Sequence, residues 1–332
     1  MTLATALIGF GKIAAGNADD PVMGKTYRYA SHVQAILDHP AFELVAVCEP
    51  DEGLQAVARQ RWNVPAVYPT VEALASNHQI DIAVLATPPH GRVSILRALP
   101  ELRAAFLEKP LASSRDDLDE LTSYCHQQGL PTQVNFWRRA VPEFRRFAEG
   151  ELERLIGKPQ AIVAYYGNGL RNNGVHIIDF LRYLFGEVIK ADGLVWAADS
   201  LTSSFAGDIN RPFSLQFKNG LVAHFHALDF SYYRENGVEI WGSSGVLSIL
   251  NDSRVMIRLG VRPHRGLSDN REIAIDAPQT LTCSFEEALY GMYENLAGHV
   301  ADGSPLYAPL DAVISSERVV NDLIGQIAEK AA

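Results

Sequence analysis

The sequence is poor in the features that would mark it as secreted, membrane-bound or nucleic-acid-binding. It has three cysteines in 332 residues, Cys48, Cys125 and Cys283. Scattered and odd in number, they make neither a disulfide framework nor a metal-ligand set. No apolar run approaches the roughly 20 residues that span a bilayer. Met1 to Phe10 lacks the basic start and cleavage pattern of a secretion signal. Cations are in deficit, with 29 Lys and Arg against 39 Asp and Glu, a net charge of −10, and no long Lys/Arg run. Nucleic acid and anionic membranes are therefore not expected partners. There is no internal repeat and no low-complexity segment. The expectation is a cytoplasmic, soluble, globular protein with no metal. With 47% hydrophobic and 20% charged residues, it can bury a full core as one large or two ordinary domains.

What is present begins with a short apolar strand, Thr5 to Ile8, followed at once by Gly9-Phe10-Gly11-Lys12-Ile13-Ala14. This is the G-x-G-x-x-A form of the dinucleotide fingerprint. Gly9 permits the tight turn, Gly11 lets the backbone approach a pyrophosphate, and Ala14 allows close helix–strand packing. A helix N-terminus here would offer free N–H groups to the phosphates. Gly16 to Ser31, with Asp19, Asp20, Pro21 and Gly24, does not continue one helix. Helical spacing resumes at His32, Val33, Ile36 and Leu37. The segment between reads as an insertion of about fifteen residues, a lid or a surface loop.

Phe42 to Val47 is a strand ending at Cys48-Glu49-Pro50-Asp51. An acid at this strand end accepts hydrogen bonds from the adenosine ribose and repels a 2′-phosphate, so Glu49 favours NAD over NADP. Glu49 lies forty positions after Gly9, against a usual ~20; the insertion accounts for most of the excess. A solvated strand-end glutamate is the alternative. Strand and helix then alternate through Val64–Tyr68, Val71–Ala75, Asp81–Ala86, the loop Thr87-Pro88-Pro89-His90, a helix to Arg97, and the strand Ala104 to Glu108. Such alternation predicts a parallel sheet with right-handed crossovers, whose ligands sit at the carboxyl ends of the strands. Gly9, Glu49, Thr87 and Lys109 all fall at those ends. Lys109 follows Glu108 and precedes Pro110, which restricts its backbone and can aim it; Glu-Lys-Pro equally suits an ordinary turn.

Taken together, these pieces resemble the glucose–fructose oxidoreductase / inositol dehydrogenase / MocA family of NAD(P)-dependent dehydrogenases. The matching stretches are Gly9 to Ala14, Ala46 to Asp51, Thr87 to His90, Glu108 to Leu111, Gly174-Val175-His176-Ile177-Ile178-Asp179, and Val238 to Gly245. They run in the family's order and cover nearly the whole chain. The resemblance implies NAD, with NADP second, held by Gly9, Phe10, Gly11, Lys12, Ile13, Glu49, Thr87, Pro88, Pro89, His90, Glu108 and Lys109. It implies that His176 acts as acid/base on a reacting hydroxyl. Four residues before it the family often has aspartate; here stands Asn172, which can orient a hydroxyl but cannot take its proton.

The expected fold is an N-terminal Rossmann doubly wound parallel sheet over residues 1–120. An α+β domain with a large, mostly antiparallel open sheet follows over 121–332. In the latter, helices are expected at 113–128, 142–155, 173–185, 285–299 and 314–328. Strands are expected at 131–137, 160–166, 188–197, 212–218, 221–229, 238–242, 246–250, 254–259 and 272–275. The open sheet suggests a homodimer or homotetramer. On the 173–185 helix Asn172, His176 and Asp179 share a face; His176 could instead be a packing histidine. His224 and His226 alternate on one strand face without a third ligand, so no metal site is expected there. The activity implied is oxidation of a secondary alcohol on a sugar, polyol or sugar derivative. Lys109 would stabilise the developing alkoxide, His176 would carry the proton, and Asn172 would position the hydroxyl. The alternatives are a dinucleotide-binding regulator without turnover and a dihydrodiol-type dehydrogenase.

Overall fold

The computed structural model describes residues 2–193, 203 and 208–331. The chain divides into two compact units. The first is Met1–Ala140 with Glu286–Ile314, and the second is Val141–Phe285 with Ser315–Ala332. The sequence places the division after residue 120. The first unit runs further because its sheet is completed by a strand beyond that point.

The first unit is built from β1 (Leu3–Ile8), α1 (Met23–Thr26), α2 (His32–Asp38), β2 (Phe42–Cys48), α3 (Glu52–Gln60) and β3 (Val67–Tyr68). It continues with α4 (Val71–Ala75), β4 (Ile82–Leu85), α5 (Arg92–Arg97), β5 (Ala104–Leu107), α6 (Arg115–Gln128) and β6 (Thr132–Val134). The six strands pair in the order β3-β2-β1-β4-β5-β6, all parallel. This is the doubly wound order, reversing between β1 and β4. β4 and β5 are buried along their whole length, as a parallel sheet covered on both faces requires. α3, α4 and α6 each start from a side-chain cap, at Asp51, Thr70 and Ser114, which satisfies an otherwise orphaned N–H.

The second unit holds α7 (Pro142–Arg146), α8 (Leu152–Ile156), β7 (Pro159–Gly167), α9 (Val175–Phe185), β8 (Val188–Gly193), β9 (Phe213–Phe217) and β10 (Val222–Leu228). β11 (Gly237–Gly242), β12 (Gly245–Leu250), β13 (Val255–Pro263), β14 (Arg271–Ile273) and β15 (Gln279–Leu281) follow. Nine strands form one sheet, antiparallel except where β10 runs parallel to β7. Alternation along β9 and β10 buries Phe213, Leu215, Phe217, Ala223 and Phe225 on one face, where Tyr166 packs edge-on against Phe213. The chain ends in α10 (Ala288–Asp302), which belongs to the first unit, and α11 (Leu310–Ala331).

Three local differences from the sequence reading have plain causes. The helix expected over 142–155 is interrupted at Gly150, whose φ of 100° is non-helical. The strand expected over 131–137 stops at Val134, and Trp137–Ala140 turns as a 3₁₀ segment. β15, too short to show an alternating pattern, was not anticipated. Positions 194–197 of the strand expected at 188–197 lie outside the described residues.

Candidate functional site

The carboxyl edge of the parallel sheet gathers most of the residues singled out above. At the end of β1 the Gly9 N–H continues the ladder to the Cys48 carbonyl at 2.8 Å, and Gly9 turns with a φ of +86°. A methyl added to it would lie 2.9 Å from the Ala86 carbonyl oxygen and 3.2 Å from Thr87 Cγ2. Gly9 is thus required by both conformation and space. Gly11 differs: a methyl there would meet nothing within 4 Å. Lys12 is exposed and Ile13 half-buried.

The helix expected to start at the fingerprint is a single turn. Ala15 and Gly16 N–H both reach the Gly11 carbonyl, at 3.0 and 3.2 Å, and the next regular piece is a 3₁₀ turn at Gly16–Asp19. The chain then makes its excursion and returns at α2. There His32 N–H donates to the Ile13 carbonyl at 3.0 Å and Val33 N–H to Ala14 at 2.9 Å. α2 therefore resumes the interrupted crossover directly behind Ala14, and 16–31 loops out between hydrogen-bonded neighbours. An anion bound here would rest on turn amides, since one turn carries little of a helix dipole.

At the end of β2, Glu49 is buried and its carboxylate is already engaged. Phe10 N–H donates to Oε2 at 2.7 Å and Asp51 N–H to Oε1 at 3.0 Å. Glu49 thereby ties the fingerprint turn to its own strand end, and each oxygen keeps a second lone pair for a ligand. Burial, with Glu49 adjacent, pushes the Cys48 thiol up to about 11, so it stays neutral.

Beyond β4, Thr87 Oγ1 is buried with no hydrogen-bond partner among the described residues, while Pro88 and His90 are exposed and Pro89 is half-buried. Arg92, itself buried, donates through Nη2 to the Thr87 carbonyl at 3.1 Å and through Nη1 to the Leu111 carbonyl at 3.3 Å. It clamps the loop after β4 to the loop after β5. On the latter, Glu108 is 7% exposed, Lys109 is half-buried, and the Lys109–Pro110 bond is cis.

Glu108 Oε1 receives His32 Nε2 at 3.0 Å and Asn135 Nδ2 at 2.5 Å. Burial would push this carboxyl up. The His32 and Asn135 hydrogen bonds and the nearby Lys109 charge outweigh it and hold Glu108 below the usual carboxylate value. His32 Nδ1 meets Tyr293 Oη of α10 at 2.8 Å, and burial pushes that phenol well above its ordinary value. An unpartnered Thr87 hydroxyl, the open space over Gly11 and the strand-end acids suit a dinucleotide with donors and acceptors along its length.

In the second unit Asn172 lies in a π turn, Leu170–Gly174, that leads into α9; such turns recur at functional sites. Asp208 caps this turn, accepting the backbone N–H of Arg171 at 3.0 Å and of Asn172 at 3.2 Å. Asn172 Nδ2 reaches the Asn168 carbonyl at 3.3 Å. His176, on the first turn of α9, is half-buried. Asp179 is almost fully buried and accepts from Ser316 Oγ of α11 at 2.9 Å, and Ser316 in turn accepts from Arg182 Nη1 at 2.8 Å. Asp179 thereby ties α9 to α11. On the open sheet face His224 bonds Ser214 Oγ at 2.8 Å and His226 stacks on Tyr165.

Sequence reasoning missed His32, Asn135, Tyr293, Arg92 and Asp208. Asn135 immediately follows β6, so the strand-end rule that found Lys109 could have found it. His32, Tyr293 and Asp208 carry no local signal, because their partners are remote in sequence; Arg92 reaches Thr87 only five residues away, but its position on a helix does not mark it as buried.

Two family profiles match the chain. One, described as "Oxidoreductase family, NAD-binding Rossmann fold", matches residues 4–136, and the GFO/IDH/MocA C-terminal domain matches 153–248. The chain is 26% identical over 254 residues to D-apiose dehydrogenase of Paraburkholderia graminis, covering 68% of this chain and 66% of that enzyme, just under two thirds of its length. It is 25% identical over 305 residues to scyllo-inositol 2-dehydrogenase (NAD⁺) of Bacillus subtilis, covering 84% of each. Among solved structures, a levoglucosan dehydrogenase complexed with NADH and levoglucosan superposes with a TM-score of 0.75 at 17% identity, over 99% of this chain and 98% of that one.

Proposed function

The chain belongs to the GFO/IDH/MocA oxidoreductase family, and from that premise we propose that it oxidises a secondary alcohol of a sugar, polyol or sugar derivative, reversibly, with NAD. The observation that carries the reading is the carboxyl edge of the parallel sheet, where the Gly9 turn, Glu49, Thr87, Glu108 and Lys109 follow one another from strand to strand. When bound, the dinucleotide supplies the hydride chemistry, and the protein binds, aligns and moves a proton. Gly9, Phe10, Gly11, Lys12 and Ile13 frame the pyrophosphate, and the open space over Gly11 supports this. The buried Glu49 carboxylate takes the ribose hydroxyls and disfavours a 2′-phosphate. Thr87, Pro88, Pro89, His90, Glu108 and Lys109 face the other half.

The Lys109 ammonium stabilises the oxygen of the reacting hydroxyl as it gains negative charge. His176 takes the hydroxyl proton, or returns it in reduction. Asn172 orients the hydroxyl by hydrogen bonding; as an amide it does no proton transfer. Similarity to apiose and inositol dehydrogenases supports the carbohydrate-like substrate.

We further place the protein in the cytoplasm, which its three free cysteines support, and assign it a homodimeric or homotetrameric state. The support for self-association is the open sheet face, where Trp241 is 42% exposed in register with Ala161 and Val246.

Purified protein titrated with NADH and NADPH, then offered polyols, sugars and nucleotide sugars, tests the reading through nicotinamide absorbance. NADH preference with turnover of one such class is expected, with Lys109→Ala and His176→Ala each lowering kcat by at least a hundredfold, in the range of a lost general acid–base group. Binding without turnover on any of them would instead make this a dinucleotide-binding regulator. NADPH preference would overturn the Glu49 assignment.

A further inference from the structure

We propose that the β13–β14 end of the second unit's sheet carries a binding site for the phosphate group of a small phosphate monoester, held by Arg258, Arg271 and Ser244. The site shares no residue with the oxidoreductase reading above and does not rest on it.

Charge singles the region out first. The chain carries a net charge of −10, which repels anions in general. Between residues 254 and 276 the balance reverses, with Arg254, Arg258, Arg262, Arg265 and Arg271 against Asp269, Glu272 and Asp276. Two of those acids are already engaged. Arg262 meets Glu272 at 2.7 Å and Asp276 at 2.6 Å, and Arg265 meets the same two at 2.6 and 3.4 Å. Asp269 follows β13 in a left-handed turn position. Arg258 and Arg271 make no ion pair among the described residues.

These two arginines line one cleft of about 360 Å³ with Ser244, Gly260 and Gln279, and none of the residues lining it is an acid. Register explains the convergence. Arg258 pairs with Gln279 of β15, Gly260 with Gly245 next to Ser244, and Pro263 with Arg271 of β14. The Arg258 guanidinium is fixed by the protein itself. Its Nε donates to the Leu155 carbonyl of α8 at 2.7 Å and its Nη1 to Gln279 Oε1 at 2.7 Å. It passes close over Gly260, where an added methyl would lie 3.5 Å from Nη1. Arg258 Nη2 and the Ser244 hydroxyl have no hydrogen-bond partner among the described residues.

Two guanidinium groups and a free hydroxyl, with no acid beside them, complement a tetrahedral dianion, because forked N–H donors match phosphate oxygens. Arg258, already anchored, gives up little further freedom on binding, and the exposed Arg271 supplies the second charge from β14. A cleft of this volume falls among small-molecule sites, roughly 300–1,000 Å³, so it has room for an organic body beside the phosphate. Strand alternation separates it from the face assigned to self-association. Trp241 pairs with Val246 and Val246 with Leu259, so these three share the open face. Arg258 and Gly260, on either side of Leu259, face the other way, toward α8.

Calorimetry on the full chain with saturating NADH, which fills a dinucleotide phosphate site, compares glycerol 3-phosphate, inorganic phosphate and glycerol. Glycerol 3-phosphate should bind about fivefold or more tighter than inorganic phosphate through its organic body, and glycerol should not compete with it. Arg258→Gln and Arg271→Gln should each weaken it at least about tenfold, the scale of a lost charge-assisted pair. Arg265→Gln, whose cation is already paired, should change it by less than about twofold. Arg271 is exposed and unpaired, so its variant should keep the ligand-free melting temperature even if Arg258→Gln does not. Equal affinity for the ester and inorganic phosphate, with the same arginine dependence, would overturn the ester and leave free phosphate as the ligand. No binding by wild type, undiminished affinity in Arg271→Gln, or an equal loss in Arg265→Gln would overturn the site.

Discussion

The two fingerprint glycines should fail in opposite ways when each is replaced by alanine. At Gly9 the backbone sits at φ +86°, and the new methyl would be 2.9 Å from the Ala86 carbonyl oxygen and 3.1 Å from its carbon. A left-handed conformation costs a non-glycine residue roughly 1–2 kcal/mol. Overpacking against backbone, which cannot rotate away, adds about 1–3 kcal/mol. Gly9→Ala should therefore lose about 2–5 kcal/mol, a large part of the 5–15 kcal/mol that usually separates folded from unfolded. At Gly11 the φ is not left-handed and a methyl meets nothing within 4 Å. Alanine there should change stability by less than about 1 kcal/mol, and could raise it by restricting the unfolded chain. Its methyl does project into the space that a pyrophosphate would occupy, so NADH affinity should fall at least tenfold, about 1.4 kcal/mol. Urea denaturation followed by tryptophan fluorescence measures the first quantity and NADH titration the second. Equal destabilisation by both variants, or full NADH affinity in Gly11→Ala, would refute the assignment of one glycine to the fold and the other to the ligand.

Acid should unfold the protein partly through Glu108. Its folded carboxyl is held below the ordinary value of 4.5 by His32, Asn135 and Lys109 despite burial. The stability this contributes is therefore complete above pH 4.5 and lost as the pH falls through the depressed folded value. Glu108→Gln should flatten the acid limb of a stability–pH curve, and an unaltered limb would exclude this role. In native protein at pH 8, iodoacetamide should modify Cys283 first, since Cys48 and Cys125 are buried and burial raises both thiols. Mass spectrometry showing Cys48 labelled as fast would contradict its surroundings. Asp179→Ala should cost about 3 kcal/mol in urea denaturation, because it strips the buried Ser316–Arg182 pair of its anion, with Asp179→Asn milder. A loss under 1 kcal/mol would refute this structural role.

The sequence by itself determined the parts whose physics is local. Fully buried parallel strands read as short apolar runs, so β1, β4 and β5 were legible to within a residue or two. Gly9 was legible because only a positive φ makes that turn. Lys109 was legible because a strand end followed by proline is a position as well as a pattern. The mostly antiparallel sheet of the second unit was legible in part from alternation along β9 and β10. The insertion announced itself by composition, although its attachment did not. That His32 N–H and Val33 N–H close onto Ile13 and Ala14 depends on two chain segments returning to one place.

Tertiary structure alone decided what the strand-end polar groups do. Glu49 is bound to the amide of Phe10 thirty-nine residues away in sequence, and no spacing rule couples them. Arg92, a helix residue that would pass for a solvated cation, is buried between two loops. Glu108 is gripped by a histidine that opens a distant helix and by an asparagine from the next strand. The parallel β10–β7 pair depends likewise on register between remote segments. Secondary structure is written in neighbours three or four positions apart. A buried hydrogen-bond chain joins whatever the fold brings within 3 Å, and Tyr293, His32, Glu108 and Asn135 meet because two crossovers and the α10 helix converge on one strand end.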